Sequence, residues 1–124
     1  RGAVATTYAH DHHNLLVIGK NITDMIVAAN EVINHQGGYC TVDNGRILSS
    51  FKLPVGGVLS DLPLEHVAVK VKELRESLID LGYEHYNPIM SLSTICLPVS
   101  PELKVTDRGL IDVNNSKIVD LFIH

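Results

Sequence analysis

At 124 residues, with 45% hydrophobic and 19% charged, the chain has the makeup of one folded domain and not of a disordered tail. Net charge is −4, and the densest basic stretch, Lys70, Lys72 and Arg75, alternates with Glu73 and Glu76, a solvated helix face that argues against a nucleic-acid partner. No apolar run approaches the roughly 20 residues of a membrane helix, and no charged segment leading into an apolar one marks a signal peptide, so a membrane partner is not expected.

Taken in chain order, the first residue is Arg1 and not methionine, which suggests a fragment of a longer chain or a processed product. Gly2 to Tyr8 is rich in small and β-branched residues and reads as a strand. Asn14 to Gly19 carries the apolar run Leu15-Leu16-Val17-Ile18, suited to a second, buried strand. Thr23 is placed to cap a helix running to about His35, with Asp24 at its positive end. Met25, Ile26, Ala29, Val32 and Ile33 would form its buried face, and Gly37 its stop. Tyr39 to Val42 and Arg46 to Leu53 flank Asp43-Asn44-Gly45, a strong hairpin signal because Asn-Gly tolerates the positive φ of a tight β-turn.

Pro63 suits the first turn of a second helix. Leu64, Val67, Val71, Leu74, Leu78 and Leu81 then recur at spacings of three and four as one apolar stripe, up to a stop at Gly82. Residues 89–97 alternate weakly and read as a strand. Pro98 and Pro101 break the pattern, Asp107-Arg108-Gly109 is a turn, and Lys117 to Ile123 reads as a last strand. With no repeat, linker or low-complexity tract, residues 1–124 are expected to form one domain: an α+β or α/β sandwich, a mixed sheet with two main helices packed on it. Two helices cannot fully cover both faces of five or six strands, so a partner surface is expected to cover the rest.

Chemical density is greatest at His10-Asp11-His12-His13-Asn14. Imidazoles and a carboxylate can bind a metal, shuttle protons or hydrogen-bond a polar ligand. In an extended strand His10, His12 and Asn14 would face one way, and Asp11 and His13 the other, so a metal site would need a turn. The alternative is a polar loop whose Asp and Asn bond to nearby backbone. Ser60-Asp61-Leu62-Pro63, after Pro54-Val55-Gly56-Gly57, reads as a glycine-containing loop with a polar helix start, or else as a mobile, ligand-facing loop. His35, His66, His85 and His124 read as surface or capping residues. Thr106-Asp107-Arg108-Gly109 is most simply a structural turn. Cys40 and Cys96, far apart and outside any CxxC motif, read as reduced core thiols of a cytoplasmic protein.

The run Ala9-His10-Asp11-His12-His13-Asn14-Leu15-Leu16-Val17-Ile18-Gly19 resembles the start of the C-terminal domain of microbial adenine deaminases of the amidohydrolase superfamily. The resemblance continues in family order through Asp24-Met25, Val42-Asp43-Asn44-Gly45, Leu53-Pro54-Val55-Gly56-Gly57 and Ser60-Asp61-Leu62-Pro63-Leu64-Glu65. It reaches Leu97-Pro98-Val99-Ser100-Pro101-Glu102-Leu103-Lys104 and Thr106-Asp107-Arg108-Gly109-Leu110. His12 departs from it, standing where the family's His-Asp-x-His-Asn pattern usually has a small residue.

The resemblance implies a parent enzyme that hydrolyses adenine to hypoxanthine and ammonia. A divalent metal, manganese or iron, would be held by a separate N-terminal catalytic barrel. That barrel, with its His-x-His metal motif, lies outside residues 1–124, so no metal or other cofactor is expected here and the isolated chain is expected to be inactive. Two roles remain. His10, Asp11, His13 and Asn14, with Ser60 and Asp61, act on the substrate side of the barrel; or the domain is a packing and homo-oligomerisation module. A standalone purine-binding domain is the third alternative.

Overall fold

The computed structural model describes residues 1–122. Its centre is a four-stranded sheet of β1 (Ala3–Thr6), β2 (Leu16–Gly19), β3 (Gly38–Asp43) and β4 (Arg46–Lys52), in the order β2-β1-β3-β4. All of its pairings are antiparallel. A helix lies on each face. Helix α1 (Ile22–Asn34) covers Ala5, Cys40 and Val42, using Ala28 and Val32. Helix α2 (Leu64–Asp80) covers Val4, Tyr39 and Phe51, using Leu74 and Leu78. Side chains alternate faces along a strand, so Val4 and Ala5 serve opposite layers.

The α+β reading therefore holds, in a three-layer form. The remaining strands, β5 (Leu103–Thr106), β6 (Gly109–Asp112) and β7 (Lys117–Val119), form a separate antiparallel sheet. The central sheet is thus narrower than expected, with one helix on each face. The expected last strand stops at Val119; Ile123 and His124 lie outside the described residues.

The cap of α1 is Asn21, whose side chain accepts the Asp24 amide at 2.8 Å, and not Thr23, which sits inside the first turn. The buried face is also rotated from the expected one: Asp24, Ala28 and Val32 point inward, while Ile26 and Ile33 face out. The helix is amphipathic, yet its isoleucine side, Ile22, Ile26 and Ile33, is the exposed one, so hydrophobicity alone does not choose its face. Small side chains do: Ala5, Ala28 and Cys40 are fully buried and let helix and sheet approach closely. At the helix end the left-handed turn begins on Gln36, at φ 59°, and continues through the expected Gly37, at φ 128°. The Gln36 and Gly37 amides then bond to Ile33 and Val32, closing a Schellman turn.

The hairpin forms as read. Asn44 and Gly45 take φ of 51° and 74° at its tip, the doubly left-handed turn that Asn-Gly favours. Helix α2 also forms as read, but its stripe is buried only from Leu74 onward; Leu64 is 78% exposed. Buried Ser77 Oγ, hydrogen-bonded to Thr41 Oγ1 at 2.8 Å, ties the second half of α2 to β3. Residues 89–97 do not form a strand. Helix α3 (Pro88–Ser93) stands there, capped by Asn87 through the Met90 amide at 3.3 Å. An Asn-Pro helix start outweighs the weak alternation that suggested a strand.

Candidate functional site

The segment between β1 and β2 is a compact turn and not an extended strand. The His13 amide donates to the Ala9 carbonyl at 2.8 Å, and His13 sits at φ 53°. The His10 amide donates to the Ser93 carbonyl at 2.8 Å, tying the turn to the end of α3. The fold thereby builds an edge-to-face series of rings. Tyr8 and His10 lie 4.7 Å apart between centroids, and His10 and His13 lie 5.2 Å apart. Both imidazoles are half-buried. His13 Nδ1 is enclosed and has no hydrogen-bond partner among the described residues, which is costly unless another group pairs with it.

The turn divides the five residues. Asp11 is exposed. His12 Nδ1 accepts the Asn14 amide at 2.9 Å, so that nitrogen is already in use. His12 and Asn14 face a hollow of about 360 Å³ shared with Cys96, Val105, Thr106 and Asp107, on the side of the β5–β7 sheet. His10 and His13 do not line it. Nor do the donors converge as metal ligands: among the described residues no three His, Cys, Asp or Glu side chains are placed to hold an ion. The residues present do not fit the metal that the resemblance implies.

Ser60 and Asp61 are separated as well. Ser60 Oγ accepts the Leu62 amide at 3.1 Å, and Ser60 lines an apolar cleft of about 290 Å³ with Tyr8, Tyr39, Val67, Ile89 and Met90 among others. Asp61 faces a different hollow of about 210 Å³ with His35, Ser50, Lys52 and Lys70. Tyr8 alone joins the two regions, lining the cleft and packing on His10. The glycine loop serves the fold. Thr7 Oγ1 donates to the Gly57 carbonyl at 2.6 Å and accepts the Gly38 amide at 2.9 Å. A Cβ on Gly57 would come within 3.1 Å of that hydroxyl.

Residue-by-residue reading missed Tyr8, Ser93 and Met90. Tyr8 adjoins the polar run in sequence and was the one legible signal; the other two are brought in only by α3. Burial drives the Tyr39 phenol well above its ordinary value, so it stays neutral at the cleft floor.

The sequence pattern of the adenine deaminase C-terminal domain matches residues 1–117. This chain belongs to that family. Among similar proteins, adenine deaminase 2 of Shouchella clausii is 61% identical over the whole chain, which covers 22% of that protein. Adenine deaminase of Clostridium perfringens is 57% identical over 98% of the chain, which covers 21% of that protein. Adenine deaminase 2 of Oenococcus oeni is 45% identical over 98% of the chain and likewise 22% of its own length. The family's shared region is thus about a fifth of these relatives. No described helix is long and apolar enough to cross a membrane, and both cysteines are free and buried.

Proposed function

We propose that this chain is the C-terminal domain of an adenine deaminase, which consumes water to convert adenine into hypoxanthine and ammonia. The observation that carries this reading is the family match over residues 1–117, together with relatives named adenine deaminase at 57–61% identity. The divalent metal, manganese or iron by resemblance, belongs to a catalytic barrel outside these residues. That barrel is the domain's principal partner, adenine its substrate and the cytoplasm its location; two free thiols are consistent with that compartment.

Within this division of labour, the His10–Asn14 turn works on the substrate side. Two half-buried imidazoles in edge contact, one with an enclosed, unpaired nitrogen, offer hydrogen bonds that a purine ring or its departing ammonia can use. His10 and His13 carry the proposal, Asp11 and Asn14 stand at the exposed edge, and Ser60 and Asp61 are weaker because they face other hollows. A homo-oligomerisation role is the second reading. It is favoured by Ile22, Ile26 and Ile33, exposed apolar residues at helical spacing on the outer side of α1.

The test uses the full-length polypeptide that contains this domain. His10→Ala, His13→Ala and Asp11→Asn are compared with the parent by kcat/KM, metal content and thermal stability. His10→Ala and His13→Ala are expected to lose about 2–4 kcal/mol of transition-state stabilisation if they contact the reacting purine, with metal content unchanged. Normal kcat/KM per folded molecule in all three would make the turn structural.

A further inference from the structure

The face of the domain that carries Tyr8 is unfinished. The loop Val55–Leu62, the first half of α2 and the start of α3 enclose the 290 Å³ cleft. Its floor is core: Tyr39, Phe51, Leu53 and Leu74 are buried. Its rim is apolar and open, with Leu59 61% and Val71 38% exposed, and Met90 beside them. The second half of α2 is held to the sheet by Leu74, Ser77 and Leu78, while the turns before it carry exposed Leu64, Val69 and Val71. Val67 packs this half against the core, but the apolar side chains around it stay open to solvent, and such a surface marks an interaction site.

The cleft is poorly suited to a purine. Among the described residues its only side-chain polar groups are the hydroxyls of Tyr8, Tyr39 and Ser60, and that of Tyr39 is directed to the Ile89 carbonyl at 3.5 Å. A base buried there would leave several of its own polar atoms unpaired. Apolar side chains have no such cost and gain from displacing water. The rest of the polypeptide is their natural source. The relatives are between four and five times as long as this chain, which covers 21–22% of them.

We propose that the cleft between Leu59, Val71 and Met90 is the docking surface for the catalytic domain of the same polypeptide, which inserts apolar side chains into it. This rests on the reading that the chain is joined to such a domain. Tyr8 gives the contact a consequence. Its ring forms part of the cleft wall and packs 4.7 Å from His10, so a domain seated there holds the His10–His13 pair at the boundary between the two.

The experiment is thiol labelling of Leu59→Cys, Val71→Cys and a control, Ile118→Cys on β7, each in the 124-residue chain and in the full-length protein. Native Cys40 and Cys96 are buried and give little background. Circular dichroism and thermal melting establish that each variant is folded before labelling. In the full-length protein Leu59→Cys and Val71→Cys should react at least about tenfold more slowly than in the short chain, while Ile118→Cys reacts equally fast in both. Equal rates at Leu59→Cys and Val71→Cys in the two contexts would overturn the proposal. So would their concentration-dependent protection in the short chain, which would mean a second copy, or protection there by millimolar adenine, which would mean a ligand pocket. An adenine assay of the full-length protein reads the functional assignment separately: no deamination with cleft protection intact would refute the enzyme reading and leave the docking surface standing.

Discussion

Asp24 shows how one side chain can join two elements. Its own amide is capped by Asn21, and its carboxylate accepts from Asn21 Nδ2 at 2.8 Å, the Gly45 amide at 2.7 Å and the Asn44 amide at 3.2 Å. The Asn21 bond first, then the Gly45 and Asn44 amides, hold its pKa below the ordinary 3.8 against the opposing effect of burial. A lowered folded pKa means the stabilisation is complete above the unfolded value and is lost as pH falls through the folded one. Asp24→Asn should therefore be less stable than the parent sequence near neutral pH, and the gap should narrow as pH drops below 3.8. Urea melts across that range check this; a gap independent of pH would contradict it. Cys40 makes a second residue-scale case. Burial pushes its thiol up to about 12, so almost no thiolate exists near neutral pH. It should resist maleimide in the folded chain and react fully once the chain is unfolded, as mass spectrometry would show.

Elements were legible where local chemistry and packing agree. Asn44-Gly45 and the Leu74-Leu78 repeat name their structures because the turn needs positive φ and the helix needs an inward stripe. The α1 face was not legible, because its choice depends on small residues from Ala5 and Cys40 across the sheet. The ring series Tyr8–His10–His13 was only half legible. The polar run is visible in sequence, but its separation of His10 and His13 from His12 and Asn14 depends on a turn anchored to Ser93. Three substitutions test these elements. Leu78→Ala, in the buried half of α2, should cost about 2–5 kcal/mol, whereas Val71→Ala, at the open rim, should change the stability of the short chain far less. Gly57→Ala should cost about 1–2 kcal/mol, because φ is 75° and the new Cβ meets Thr7. Chemical denaturation would read all three; equal losses at Leu78 and Val71 would mean that the first half of α2 is packed after all.

At the scale of the molecule, the central sheet carries a helix on each face and an apolar cluster beneath each, with the cleft beside the first half of α2 left open. Such a core does not wait for a partner domain to bury it, so the 124-residue chain should fold alone. Catalysis is a different matter. Hydrolysis of an aromatic amine at neutral pH requires a water made strongly nucleophilic, and in the resembled family a metal supplies that activation. No convergent set of three or more ligands exists among the described residues to hold one, and His12 Nδ1 is spent within the turn. The imidazoles that remain can position or transfer protons, a contribution of about 10²–10⁴-fold that leaves water itself unactivated. The purified short chain should therefore melt cooperatively by calorimetry yet release no ammonia from adenine with added Mn²⁺, Fe²⁺ or Zn²⁺. The full-length polypeptide should do so under the same conditions. Metal-dependent turnover by the short chain alone would place the catalytic centre within these residues and reverse the division of labour between the domains.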